Sequence, residues 1–126
     1  MTQLDQMCPK APDSEKCARL NDDCRWHRGD PANFRHMMTC GVQDLIEAAN
    51  LPLQIMRRAQ MQAAIRNYGF KPGDGLERDF GSFAFMGNKL FFKIDAYDRA
   101  LECGSPDPGD ASVTIRVMTV MLASEY

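Results

Sequence analysis

The side chains able to do chemistry fall into three groups along a chain of 126 residues. The first is acidic. Asp95, Asp98, Asp107 and Asp110 follow one another closely, with Tyr97 between the first two and Lys93 and Arg116 as counter-charges. Carboxylates gathered at a strand end can hold a hard cation such as magnesium or serve as an acid and base pair. Local needs compete with that chemistry, because Asp107 before Pro108 favours a turn and Asp110 after a Pro-and-Gly loop is a helix cap. A structural or solvated cluster is therefore the favoured reading, and a ligand- or partner-binding one the alternative.

The second group is Cys24-x-x-His27 with His36-x-x-x-Cys40, whose side-chain types suit zinc. The loop between the pairs is short and Cys24 has a place on the apolar side of a helix, so a buried cysteine is favoured and no metal is expected. The third group is basic: Arg25, His27, Arg28, Arg35 and His36 surround one loop, and Arg57, Arg58 and Arg66 lie on a helix. Trp26 and Phe34 sit among them, and aromatic residues mixed with arginine are typical interface anchors. Phosphates or an acidic protein surface would suit this group, although arginines on an amphipathic helix are ordinarily solvated. Neither a Gly-x-Ser-x-Gly elbow nor a phosphate loop is present, so no catalytic residue and no cofactor are assigned.

These residues must be positioned by a small set of elements. Residues 1–12 carry two prolines and no apolar period, which predicts a flexible arm before a single domain over 13–126. A helix follows from Ser14, with Cys17, Leu20 and Cys24 on one face, and stops before Gly29. Phe34 to Thr39 is strand-like, and Val42 to Ala49 a short helix. A longer helix runs from Pro52 to Tyr68, with Leu53, Met56, Gln60, Ala63, Ala64 and Asn67 sharing one broad stripe and Ile55 and Met61 alongside it. The period then changes to two. Asp79–Met86 and Lys89–Asp95 read as a hairpin reversing at Gly87-Asn88. Over 111–124 propensity and period conflict; the length of the run and the Asp110 cap favour a helix. The predicted architecture is α+β, a small antiparallel sheet centred on the hairpin, beside the Phe34–Thr39 strand, packed against two or three helices.

Composition excludes whole classes. With 44% hydrophobic and 25% charged residues the chain is neither disordered nor membrane-spanning. A formal charge of −2 gives no bulk field toward nucleic acid or anionic lipid. Five irregularly spaced cysteines and an N-terminus without an apolar core predict a reduced, cytoplasmic protein without a disulfide framework and away from membranes.

The C-terminal half carries a longer string of marks. Asp79-Phe80-Gly81, Phe92-Lys93-Ile94-Asp95, Tyr97-Asp98, Gly104-Ser105-Pro106-Asp107-Pro108, Thr114-Ile115-Arg116-Val117 and a run to Glu125-Tyr126 follow in order. With Leu20-Asn21-Asp22 and Met38-Thr39 upstream, this resembles a domain-of-unknown-function family of small proteins from bacterial genomes, plasmids and prophages. Arg78 and Ala96 depart from the family's pattern of a histidine before the Asp-Phe-Gly triplet and an aromatic pair within the Lys-Ile-Asp motif. The resemblance implies a shared fold and a mobile-element setting, and no reaction.

The leading expectation is a non-enzymatic binding protein that occupies a host protein or a small ligand, for example as an inhibitor of a bacterial defence system. One competing expectation is a metal-assisted hydrolase or nucleotide-processing enzyme using Asp95, Asp98 and Asp107. The other is a nucleic-acid accessory protein using the arginine-rich helix and loop; Trp26, Arg28, Arg57 and Arg58, with Lys93, Asp95, Tyr97, Asp98, Asp107 and Arg116, are the candidate ligand- or partner-binding residues. The sequence leaves the oligomeric state open.

Overall fold

Asn50 is extended and its Oδ1 accepts the Leu53 amide, so the chain enters a helix with Pro52 in the first turn, where a missing N–H costs nothing. This helix is one of three in the computed structural model, which describes residues 10–47 and 50–126. They are α1 (Lys10–Trp26), α2 (Cys40–Ile46) and α3 (Leu51–Arg66). Four strands, β1 (Phe34–Met38), β2 (Phe80–Phe85), β3 (Asn88–Tyr97) and β4 (Ile115–Leu122), form one sheet in the order β1-β4-β3-β2. The expected arm lies outside the described residues up to residue 9, and Ala49 of the second expected helix is also outside them.

The α+β class stands, with two corrections of detail. The sheet is mixed, since β2–β3 and β3–β4 are antiparallel but β1 runs parallel to β4. The Phe34–Thr39 run therefore does not lie beside the hairpin; β4 separates them. The hairpin itself forms one residue early. Phe85 pairs with Asn88, leaving Met86 and Gly87 as a two-residue turn, both at positive φ (51° and 77°). That geometry matches the twist of the flanking strands, and the Asn88 side chain donates across the turn to the Met86 carbonyl.

The segment expected to be the C-terminal helix is a strand. Asp110 does cap, accepting the Ser112 amide, but only the short 3-10 turn Ala111–Val113. From Ile115 the chain becomes a central strand with a neighbour on each side, buried at Ile115, Arg116, Met118, Val120 and Met121. Ile115 and Met121 are buried even on the side away from the helices, so the strand is apolar on both faces and β-branched propensity decides once two neighbours are present.

All three helices lie on one face of the sheet. Cys24, Val42, Ile46, Met61 and Ile65 from the helices meet Phe85, Leu90, Phe92, Ile94, Met118 and Val120 from the strands. Phe92 is fully buried, with Tyr68 and Phe70 edge-on to its ring at 5.3 and 6.1 Å. Gly81 lies beneath Phe92 and leaves no room for a Cβ. In α1 the buried stripe is Cys17, Ala18, Asn21, Cys24 and Arg25, so two polar residues occupy core positions. Only one side of the stripe read for α3 faces inward: Leu53 and Ala64 are half-buried and Met61, alongside them, is buried with Ile65, whereas Met56, Gln60, Ala63 and Asn67 are exposed. Apolar residues sit on both sides of α3, so its period alone does not choose a face.

Candidate functional site

Strand alternation puts every second side chain on the face away from the helices. The register places Arg35 and Met37 of β1, Val117, Thr119 and Met121 of β4, Phe91, Lys93, Asp95 and Tyr97 of β3, and Phe80 and Ser82 of β2 on that face. Three of the residues singled out from the sequence, Lys93, Asp95 and Tyr97, thus come together here. The Lys93 ammonium lies 3.4 Å from the Asp95 carboxylate, both about two-thirds covered.

An aromatic cluster is the main feature of this face. Phe80 and Phe91 pair at 5.0 Å, and the 3-10 turn Ala123–Glu125 brings the Tyr126 ring within 5.5 Å of Phe91 and 5.9 Å of Phe80. Glu125 fixes this turn by accepting from Thr39 Oγ1 at 2.6 Å and from the Leu122 and Gly41 amides. Those bonds, the Thr39 hydroxyl foremost, lower its carboxyl pKa. The Lys89 ammonium stands 5.6 Å above the Phe91 ring. Tyr126 remains 73% exposed, so the cluster is a surface feature. Sequence reasoning did not assemble it, although alternation in β2 and β3 places Phe80 and Phe91 on one side.

The other acidic residues go elsewhere. Asp98 accepts the Glu102 and Cys103 amides and closes its own loop. Asp107 accepts the Gly109 amide, and Asp110 binds the Ser112 hydroxyl and amide, which lower its pKa in that order. Asp107 and Asp110 line an open cavity of about 450 Å³ together with Asp13, Lys16 and Arg19 of α1, so its charges are mixed. Among the described residues no group of three or more His, Cys, Asp or Glu side chains is arranged to hold a metal ion.

Arg116 is on the helix side, 3% exposed. Its Nε donates to Asn21 Oδ1 at 2.7 Å and its Nη2 to the Pro108 carbonyl at 2.6 Å, tying α1 to the Gly104–Pro108 loop. Beside it Asp22 receives two bonds from Arg78 and one from Arg25. Burial alone would raise the Asp22 pKa, but these bonds outweigh it and the net shift is downward. Arg78 thus anchors the entrance of β2 to α1.

Of the zinc-type residues, Cys24, His27 and His36 are neighbours and Cys40 is exposed at the start of α2. His36 Nε2 contacts the Cys24 carbonyl at 2.5 Å, which can only accept, so Nε2 carries the proton. The two imidazoles lie 3.7 Å apart. Burial lowers the His36 pKa, the carbonyl bond opposing and His27 and Arg66 assisting; burial and then Arg66 lower that of His27. Burial also pushes the Cys24 thiol up to about 12, despite Arg116 and Arg25. In each case burial disfavours the charged form.

The basic group divides. Arg57 donates to the Leu45 and Glu47 carbonyls and caps the end of α2. Arg28 and Arg66 stand over Trp26 at 5.6 and 5.9 Å, and Arg28 also pairs with Asp23 at 3.5 Å. Arg58 lines the groove between β1 and α3 with His36, Met38 and Met61. That groove has a guarded edge, since the Phe34 and Met38 carbonyls of β1 are occupied by Arg35 and Gln43. Among the described residues no helix is long and apolar enough to cross a membrane.

A family model described as "Protein of unknown function (DUF3768)" matches residues 38–125. No curated protein and no solved structure matches the chain.

Proposed function

Because the chain belongs to the DUF3768 family, whose description assigns no activity, we propose from the site itself that it is a non-enzymatic binding protein that recognises a protein partner through the open face of its sheet. The observation that carries this reading is the half-exposed Phe80–Phe91–Tyr126 cluster on a face that none of the described helices covers. Aromatic groups in contact with one another, rimmed by cations, are the usual centre of a protein interface. Arg35, Lys89 and Lys93 outnumber Asp95, so the matching surface is apolar with an acidic rim.

A single-stranded nucleic acid fits less well. Stacking needs free ring faces, yet Tyr126 is set edge-on to Phe91 at 86° and Lys89 covers Phe91. Asp95 also repels phosphate and neutralises the nearest lysine. In its biological form the proposal is a mobile-element protein that blocks a bacterial defence component by occupying it; the resemblance implies the mobile-element setting, and the block is our own reading.

The test is capture from a bacterial lysate followed by binding of the purified partner to three variants. Tyr126→Ala and Lys89→Glu, both at exposed positions, should each weaken binding by roughly 30-fold, the size of a hot-spot loss of about 2 kcal/mol. Arg19→Glu, on the opposite side of the molecule, should leave it unchanged. Equal binding by all three sinks the proposal, as does tight binding of a single-stranded oligonucleotide that the same face variants abolish.

A further inference from the structure

The two edges of the sheet are finished differently. At β1 the Phe34 and Met38 carbonyls are taken up by side chains. At β2 the ladder to β3 runs unbroken from Phe80 to Phe85, and Asp79 accepts the Ile94 amide, so the odd-numbered residues of β2 are those that bond to β3. The amides and carbonyls of Phe80, Ser82 and Ala84 therefore point away from the sheet, and no described residue bonds to them. β2 also carries no charge, no proline and no bulge, the usual guards of an edge strand.

We propose that β2 pairs with β2 of a second copy, antiparallel about a two-fold axis at Ser82, joining the two sheets into one. The backbone sets the kind of occupant, because a row of alternating donors and acceptors is met only by another extended strand. The register selects a second copy. A two-fold contact is self-complementary, residue i meeting j and j meeting i. With the axis at Ser82, and at no other position, all three outward residues meet one another: Ser82 faces Ser82, and Phe80 faces Ala84 in both directions. Each of these pairs exchanges two hydrogen bonds.

Side chains agree with that register on both faces. Phe80 lies beside Ala84 on the open face, and on the helix side Phe83 lies beside Gly81, so both rings within the new ladder meet a small residue. Half-buried Phe83 there reaches the Phe92 and Tyr68 rings that cover Gly81 of the second copy. Lys93 of one copy and Lys89 of the other stand three strand spacings apart, roughly 14 Å, beyond the reach of strong repulsion at physiological salt. The axis is normal to the sheet, so the helices of both copies share one side and the two aromatic clusters the other. The contact thus lies beside the Phe80–Phe91–Tyr126 surface and needs no further partner.

Sedimentation of the full chain from about 5 µM to 1 mM tests this, with amide hydrogen exchange by NMR at both ends of the range. Wild type should pass from monomer to dimer, and the Phe80, Ser82 and Ala84 amides should become protected as it does. Ser82→Pro removes only an outward N–H, so the hairpin is kept while association should weaken at least tenfold. Ser82→Lys places like charges on the axis and should remain monomeric; Ser82→Thr, a good strand former, should dimerise as wild type does. Circular dichroism confirms that each variant is folded. A wild type still monomeric at about 1 mM overturns the proposal. So does a dimer that Ser82→Pro and Ser82→Lys leave intact, or one in which those three amides exchange as fast as in the monomer.

Discussion

Replacing Gly81 with alanine tests the packing of the central core directly. A Cβ there would lie 2.5 Å from Phe92 Cζ and 3.0 Å from Tyr68 Cε2, with Phe92 Cε2 nearer still. Carbon atoms rest at about 3.5–4.0 Å, so something must move by an ångström or more. Phe92 has nowhere to go, being fully buried with Tyr68 and Phe70 set against its ring. Overpacking of this kind costs about 1–3 kcal/mol, and a rigid ring puts it near the top of that range. Alanine returns about 0.5–1 kcal/mol by restricting the unfolded chain. The net loss is about 2 kcal/mol, a fall in Tm of roughly 6–10 °C for a chain this size. Urea unfolding should show a lower midpoint at unchanged slope. Phe92→Leu removes the clashing ring edge, so the double variant should be less destabilised than the sum of the singles by about 1 kcal/mol. If Gly81→Ala stays within about 0.5 kcal/mol of wild type, or the two changes add, glycine is not required here by Phe92.

Two further predictions concern buried polar groups. Arg116→Met leaves Asn21 Oδ1 and the Pro108 carbonyl without their donor and should cost about 2–4 kcal/mol in urea unfolding; unchanged stability would show that α1 does not depend on this tie. His36 has a folded pKa below its ordinary 6.5, mainly through burial. The unfolded chain therefore binds the proton first, so His36 stabilises the fold above about pH 6.5 and that contribution is lost as pH falls from there through the folded pKa. The melting temperature should drop across that window and His36→Gln should flatten the drop; a profile identical in the two proteins refutes it.

The hairpin was legible because its signal is local: two alternating aromatic runs around a glycine. Its turn was displaced by one residue because asparagine as well as glycine tolerates positive φ, and nothing local shows that Met86 takes that conformation while Asn88 bonds across the turn. The Pro52 helix was legible from its first-turn proline and its period, yet its inward face was not, since apolar Met56 and Ala63 lie on one side and Met61 and Ile65 on the other. β4 was hidden for a related reason. A strand buried on both faces lacks alternation, and only its partners, Phe34–Met38 and Asn88–Tyr97, distinguish it from a helix. Lys93, Asp95 and Tyr97 could be grouped by strand spacing. Arg116, two residues into the next strand of the same signature, could not be placed, because its direction follows from a register that only β4 as a strand can have.

The parallel pairing of β1 with β4 has a kinetic consequence. It joins Phe34 to Arg116, closing a loop of about eighty residues, whereas β2 and β3 meet across two. The hairpin can nucleate in microseconds, while β1 and α1 find no seat until the strand between them and the hairpin arrives. On a ribosome the first third of the chain must wait, its oily stripes uncovered, for nearly the last residues to emerge, and slow translation late in the message would prolong that vulnerable interval.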